Sequence, residues 1–434
     1  MMKSKKIVLL CTLILGAMLC INALAPILGL QTASKTITNS GSVVLPSASP
    51  TPTATPTPTP NPTATPTPTA TPPPSGSGVS WLHTSGQNLY DQSGKQVKLY
   101  LPNFVTGGGT GITLADIQKI KSLGFNSFRV GVYWGVSEPS NENTVDTAIF
   151  TTGKSPLSGV GLDTIVNWAK QENMYVMFVV CWTPTWSPPS WAFPGVTDDN
   201  TRYANLFTGQ ATRETTGLYN LYKAMAARYS SVPNVIFELL NEPQVSTASI
   251  GGAQYANWNT GAISAIESVE TTSHLKIVEL LMLNPSYTEI LTQAVDINKP
   301  NVIWATHNYS PMNSWNPTSS SYYISSSFTY NGKTYSAGNV DGPTYVAWRA
   351  YLSASTIHSW NKPWISTEFS KITSQTGYSS WYAATMKAFV YYNIVGWAIH
   401  AYSHDTSGEA GWNINNPTTQ SQIMPLLKPY MVQP

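Results

Sequence analysis

The chain has 434 residues, a net charge of +2 and only 10 % charged residues, so there is no electrostatic case for nucleic-acid binding. Of its three cysteines, Cys11 and Cys20 sit in the N-terminal apolar stretch and Cys181 stands alone beyond it. That count excludes an internal disulfide framework and any zinc-ligand spacing, and leaves Cys181 as a buried strand residue.

The chain opens on MMKSKK, followed by an almost wholly apolar run over residues 7–30. A secretory core spans about 7–15 residues and a membrane span about 20, so this run is long enough for either. Its best cleavage match, Ala23-Leu24-Ala25, is followed by Pro26. Residues 1–30 are therefore expected to be a signal peptide or a retained membrane anchor, and the protein extracellular, secreted or held at the cell surface. Residues 31–78 cannot form a core, and within them the run TPTPTPNPTATPTPTATPPP has Pro at nearly every second position, which predicts a disordered polyproline II linker. Residues 79–434 turn globular and rich in Trp and Tyr, a length that suits one large α/β barrel or two smaller domains. Without a second Pro/Ser/Gly-rich break one domain is expected, and the protein is expected to be a monomer.

Within that domain a short hairpin, turning at Gln92-Ser93-Gly94, leads into a first strand near Lys98–Phe104. LADIQKIKSLG reads as a helix with Leu114, Ile117, Ile120 and Leu123 on one face and Gly124 at its end. Strands follow in FNSFRVGVYW, MYVMFVVCW, NVIFELLNEP, LKIVELLML, NVIWATHNY, PWISTEF and IVGWAIHAYS, separated by helical stretches that include one near 255–272 and one near 287–296. Eight strand–helix units in alternation predict a (β/α)₈ barrel with right-handed crossovers.

Period-two bookkeeping assigns the inward faces. They are Ser127, Arg129, Gly131 and Tyr133 on the second strand, and Ile303, Ala305, His307 and Tyr309 on the sixth. Trp364, Ser366 and Glu368 share a face on the seventh, as do Gly396, Ala398, His400 and Tyr402 on the eighth, with Phe128, Val395, Trp397 and Ile399 facing out. The fourth strand ends in Asn241-Glu242-Pro243, and Pro243 stops the ladder. Glu242 and Glu368 thus end two strands at the carboxyl mouth of the barrel. A pair of carboxyl groups flanking one bond is what glycoside hydrolysis requires. Arg129, always charged, keeps a carboxylate beside it ionised.

These segments resemble glycoside hydrolase family 5, and most of all its endo-β-1,4-glucanases. The resemblance is carried by WLHTSGQNLYDQSGKQVKLYLPN, IQKIKSLGFNSFRV, VIFELLNEP, HNY, WISTEF and DTSGEAGWNI, in order across residues 80 to 415. It implies a retaining enzyme with Glu242 as acid/base and Glu368 as nucleophile. It also implies that Asn241 binds the 2-hydroxyl of the cleaved sugar, that Arg129 and Tyr309 bond to the nucleophile, and that His307 lines the site. Three positions depart from the family pattern: Val180-Cys181-Trp182 where a His motif is usual, His400 where a Trp platform is usual, and Thr367-Glu368-Phe369 around the nucleophile.

Trp182, Trp186 and Trp191 lie in WTPTWSPPSW after the third strand, and Trp134 ends the second. Aromatic faces stack on the C–H faces of sugars, so this Pro-stiffened loop is expected to wall a substrate groove. The expected partner is a polysaccharide, β-glucan or cellulose. No cofactor or metal is expected: Gly107-Gly108-Gly109 lacks the Lys-Ser/Thr of a phosphate loop, and Asp405 and Glu409 are too few for calcium. The alternatives are an endo-β-mannanase on the same scaffold and a surface carbohydrate-binding protein without turnover, against which the Glu242–Glu368 pair argues.

Overall fold

The computed structural model describes residues 78–104, 111–135, 139–152, 160–181, 188–284, 286, 288–309, 315–403 and 411–434. The apolar segment 7–30, the Pro/Thr-rich stretch up to residue 77, Gly107 to Gly109, Trp182, Trp186, Asp405 and Glu409 lie outside the described residues.

Eight parallel strands close into a barrel in sequence order. They are β1 (Leu99–Phe104), β2 (Ser127–Tyr133), β3 (Tyr175–Cys181), β4 (Val235–Glu238), β5 (Lys276–Glu279), β6 (Val302–Asn308), β7 (Trp364–Phe369) and β8 (Gly396–Tyr402). The principal helices are α1 (Leu114–Ser122), α2 (Leu162–Gln171), α3 (Thr212–Tyr229), α4 (Ala253–Glu267), α5 (Gly342–Ser359), α6 (Tyr378–Tyr391) and α7 (Pro417–Leu427). This is the (β/α)₈ architecture expected from the alternation. The start of α1 shows how local sequence sets an element: Thr113 caps the Asp116 N–H while Asp116 Oδ2 accepts the Thr113 N–H at 2.8 Å. Its end comes at Gly124, whose φ of +104° a side chain would resist.

Alternation along each strand divides the core in two. Leu99, Leu101, Met177, Ile236, Ile277, Ile303, Ala305, Ile365 and Ala398 fill the barrel interior, together with Leu82 and Leu89 from the hairpin. The hairpin therefore plugs the end where the strands begin. It pairs Leu82–Ser85 with Asn88–Asp91 and turns at Gly86, φ +57°, not at residues 92–94. The expected turn exists as a second one, in which Asp91 Oδ1 accepts the Ser93 and Lys95 N–H groups. Outward residues such as Phe128, Phe237, Trp304 and Trp397 join the larger cluster under the helices.

Three face assignments are corrected by register. On β7, Thr306 pairs with Ser366 but His307 with Glu368, so one extra residue, Thr367, is inserted. Such a bulge reverses the alternation, and Trp364 faces out while Ile365 and Glu368 face in. On β8 the pairing passes from His400–Asn103 to Tyr402–Phe104, which inserts Ala401 and turns Tyr402 outward. The Tyr402 hydroxyl then donates to Asp116 on α1 at 2.8 Å. Val395, before β8, belongs to the interior cluster and not to the outer face.

The fifth crossover also differs from expectation. Among the described residues near 287–296 no α-helix forms; a two-residue strand, Thr288–Glu289, and a 3₁₀ turn, Leu291–Gln293, stand there. LKIVELLML divides into β5 and a separate Met282–Leu283 strand, which pairs with both Gln244–Val245 and Thr288–Glu289. That small sheet holds the chain just after β4 beside the mouth. Before α5 lie two antiparallel pairs that the strand pattern left unread, Tyr322–Ile324 with Gly338–Val340 and Phe328–Tyr330 with Lys333–Tyr335. The second turns at Asn331-Gly332, both with positive φ, the residues a two-residue hairpin turn demands.

Candidate active site

At the ends of the strands, inward side chains meet at one mouth. Arg129 on β2 is the hub, 3 % exposed. Its Nε and Nη2 donate to the two oxygens of Glu238 on β4, at 2.5 and 3.1 Å. Nη2 also donates to Asn241 Oδ1 at 2.7 Å, and Nη1 to Glu368 Oε1 at 2.8 Å and Asn103 Oδ1 at 3.3 Å. One planar guanidinium thus ties β1, β2, β4 and β7 together with charge-assisted bonds.

The Glu368 carboxyl is held on its other oxygen by the Tyr309 hydroxyl at 2.5 Å. The Nδ1 atoms of His400 and His307 stand 3.5 and 3.7 Å from that same oxygen. Burial alone would push the carboxyl up, but His307, His400, Arg129 and the Tyr309 hydrogen bond outweigh it and bring it down to about 2. Glu368 is therefore an ionised carboxylate across the ordinary pH range.

Glu242 lies four residues past the end of β4, not at its last position, with a φ of +48°, in the left-handed region. Its backbone N–H donates to Glu279 Oε2 on β5 at 2.7 Å, and its side-chain Oε1 lies 2.9 Å from His307 Nδ1. Burial would lower the imidazole, yet Glu279, Glu368 and Glu242 around it raise it to about 10. His307 is accordingly an imidazolium, and its Nδ1–H donates to Glu242. The Glu242 side chain remains 30 % exposed, open to a substrate.

Ligand atoms of Glu242, His307 and Glu368 all lie within 4.8 Å of one another, and so do those of Glu238, Glu279 and His307. Either trio has the spacing to hold a metal. Glu238 already faces Arg129 bidentately, and Glu368 is held by Arg129 and Tyr309, so these carboxylates are engaged in ion pairs and hydrogen bonds.

Seven of the eight expected site residues converge here: Arg129, Asn241, Glu242, His307, Tyr309, Glu368 and His400. The sequence matches the family model for cellulase, glycosyl hydrolase family 5, over residues 90–416. The chain belongs to glycoside hydrolase family 5. No curated protein matches it in sequence. Among solved structures, the hydrolase is similar to the catalytic domain of the major endoglucanase from Xanthomonas campestris pv. campestris, at 17 % identity and a TM-score of 0.55, covering 81 % of this chain and 99 % of that one. It is similar to a GH5-4 broad specificity endoglucanase from Clostridium acetobutylicum at 18 % identity and a TM-score of 0.52, covering 77 % and 97 %. An endogalactoceramidase matches at 16 % identity and a TM-score of 0.56, covering 79 % of each chain.

Aromatic walls of the hydrolase differ from the sequence expectation. Trp182 and Trp186 are outside the described residues. Trp134 is 1 % exposed and meets Trp191 edge-on at 5.4 Å, and both pack on Gly217 of α3, where a Cβ would come within 2.7 Å of the Trp134 ring. The Trp191 Nε1–H donates to the Pro139 carbonyl at 2.8 Å. These two are anchors of the loop on α3, not sugar platforms. Among the described tryptophans, Trp412 does reach the site, partly exposed, its ring 5.4 Å from His400 and 6.2 Å from Tyr309. It is placed by its neighbour Asn413, whose amide exchanges hydrogen bonds with the Ser403 backbone at 2.9 and 2.7 Å.

Glu238, Glu279, Asn103 and Trp412 were not among the expected site residues. The first two carried a signal: each is a carboxylate interrupting an otherwise apolar strand, in VIFELL and KIVELL, on the same parity as inward Ile236 and Ile277.

Proposed function

We propose that this hydrolase is a retaining endo-β-1,4-glucanase in which Glu368 is the nucleophile and Glu242 the acid/base. The observation that supports it most is the approach of one oxygen of each carboxyl group to within 4.8 Å of the other. Retaining glycosidases hold the pair about 5–5.5 Å apart, whereas inverting ones leave about 6.5–9.5 Å for a water. In the first step the Glu242 carboxylic acid gives its proton to the departing glycosidic oxygen as a Glu368 oxygen bonds to the anomeric carbon. The C–O bond to the leaving sugar breaks with its electron pair. In the second step the Glu242 carboxylate takes a proton from water, whose oxygen bonds to that carbon and releases Glu368.

Arg129 and Tyr309 keep Glu368 ionised and aimed. Asn241, its carbonyl oxygen occupied by Arg129, keeps its amide N–H groups for the 2-hydroxyl of the cleaved sugar. His307 orients Glu242, and His400 contacts the sugar. A glucan substrate is favoured by the endoglucanases among the similar structures. We also propose that the enzyme is monomeric and exported, acting outside the cell, with segment 7–30 as its signal or anchor. Cell fractionation with N-terminal sequencing distinguishes a membrane-bound chain from one released after cleavage.

The deciding experiment measures reducing-sugar release from carboxymethylcellulose, mixed-linkage glucan, xylan and mannan, and release of sugar from galactosylceramide. Internal cleavage of the glucans, with the β-anomer appearing first by proton NMR, is expected. Preference for mannan or glycolipid would overturn the substrate, and an α-anomer first would overturn the mechanism.

A further inference from the structure

Among the charged groups at the mouth, two carboxyls have no part in the two steps above: Glu238 is taken up by Arg129, and Glu279 is not. Glu279 ends β5, is 1 % exposed and lies beyond the reach of a substrate. Its Oε2 accepts the N–H of Glu242 at 2.7 Å, and its Oε1 stands 3.5 Å from His307 Nδ1. Glu242 is thus gripped from both ends by groups that touch Glu279: its backbone directly, and its side chain through His307.

The backbone needs such a grip. A non-glycine residue at a φ of +48° is strained and persists only where its surroundings over-determine it. Flanking residues are anchored, since the Asn241 carbonyl accepts the Tyr203 hydroxyl at 3.0 Å and the Pro243 carbonyl accepts the Met282 N–H at 2.9 Å. The Glu242 N–H between them is answered by a side chain of the neighbouring strand. Burial pushes the Glu279 carboxyl up to about 8, so below that it is mainly a neutral acid and adds little charge against Glu242.

Resting on the assignment of Glu242 as acid/base, we propose that Glu279 is a positioning residue: it sets the backbone turn of Glu242 and, with His307, the direction of its carboxyl. A misaimed acid hurts only bonds that need protonation, so the test compares leaving groups. kcat/KM is measured on phenyl and 2,4-dinitrophenyl β-cellobiosides for Glu279→Leu, Glu279→Gln and Glu242→Gln, with a thermal melt of each. Glu279→Leu should lose about 10–100-fold on the phenyl substrate, mainly in kcat, and at most about threefold on the dinitrophenyl one. Glu279→Gln, whose amide oxygen can still accept the Glu242 N–H, should recover most of that loss. If Glu279→Leu fails to fold, Glu279→Asp, one methylene shorter, should show the same split at smaller size. Equal loss on both substrates, or none on the phenyl one, overturns the proposal. Absence of a leaving-group effect in Glu242→Gln would overturn the acid/base assignment instead.

Discussion

Arg129 meets Glu238 through two nitrogens, Nε at 2.5 Å from Oε2 and Nη2 at 3.1 Å from Oε1. Glu238 is buried, so this pair faces no solvent and serves as the mount from which Nη1 reaches Glu368. The guanidinium is planar, and fixing two of its nitrogens fixes the third.

Arg129→Lys tests that coupling. A lysine ammonium is a point charge and cannot serve Glu238 bidentately while also reaching Glu368. Activity should fall by about 10²–10³, the scale seen on removing one preorganised donor from a developing charge. Arg129→Met should in addition lose about 3–5 kcal/mol of stability, since it strands the Glu238 charge in the interior. Steady-state kinetics and denaturant melts of both variants check this. A Met variant as stable as the parent would mean that the Arg129–Glu238 pair is not needed to hold the fold.

Tyr309→Phe removes the hydrogen bond that the hydroxyl donates to Glu368 Oε2. A bond to a charged group contributes about 1.5–3 kcal/mol, which corresponds to about 10–100-fold in rate where it acts in the transition state. With that donor gone, Glu368 should rise from about 2, and the acid limb of kcat/KM should move to higher pH. The pH profile from 3 to 6 reads this directly; an unmoved limb would assign it to another group.

How far the site could be read from sequence depends on which residues were involved. Arg129 and His307 lie on strands whose alternation runs unbroken up to those residues, so counting by two placed them correctly. Glu368 was placed correctly too, but Trp364 was not, because the bulge at Thr367 lies between them. A bulge depends on hydrogen-bond partners across the sheet, which no single strand reveals. The barrel itself was legible because apolar strands alternate with amphipathic helices such as α2. Its fifth unit was not, because a short crossover can meet its backbone needs by pairing with residues 244–245, a contact distant in sequence. Trp134 and Trp191 misled because a tryptophan looks the same in sequence whether it packs on Gly217 or faces a groove.

Two protons should give stability a pH slope. Glu279, ordinarily near 4.5, is raised to about 8 in the folded chain, and His307, ordinarily near 6.5, to about 10. Each folded group holds a proton that the unfolded chain releases earlier. Stability is therefore full below the unfolded values and falls as pH rises, from 4.5 to 8 through Glu279 and from 6.5 to 10 through His307. Glu279→Gln removes the first window, so its Tm relative to the parent should rise steadily between pH 5 and 8. Calorimetry across that range checks it. A relative Tm that fell instead would mean that Glu279 is ionised in the folded state.

At the opposite end of β5, a second charged cluster should govern stability without touching activity. Lys276 begins that strand with a fully buried side chain, its Nζ 3.3 Å from Glu270 Oε2 and 2.7 Å from Ser273 Oγ. Glu270 also takes His274 Nδ1 at 2.6 Å, while His274 Nε2 reaches the Val232 carbonyl at 3.1 Å and Trp81 packs edge-on against the ring at 4.8 Å. Burial favours a neutral Glu270, but His274 and Lys276 overcome it and lower its carboxyl. A carboxyl lowered in this way contributes stability above about 4.5, lost as pH falls through its folded value. Lys276→Met breaks the pair from one side and should cost about 3–5 kcal/mol, whereas Lys276→Met with Glu270→Leu should recover much of it, since an apolar pair carries no desolvation penalty. Three residues of strand, about 10 Å, separate Lys276 from Glu279, so kcat/KM at a temperature where each variant is folded should match the parent. Urea melts at pH 7 and pH 4 decide the matter. If the double variant is no more stable than Lys276→Met alone, the cluster stabilises the fold by packing and not by paired charge.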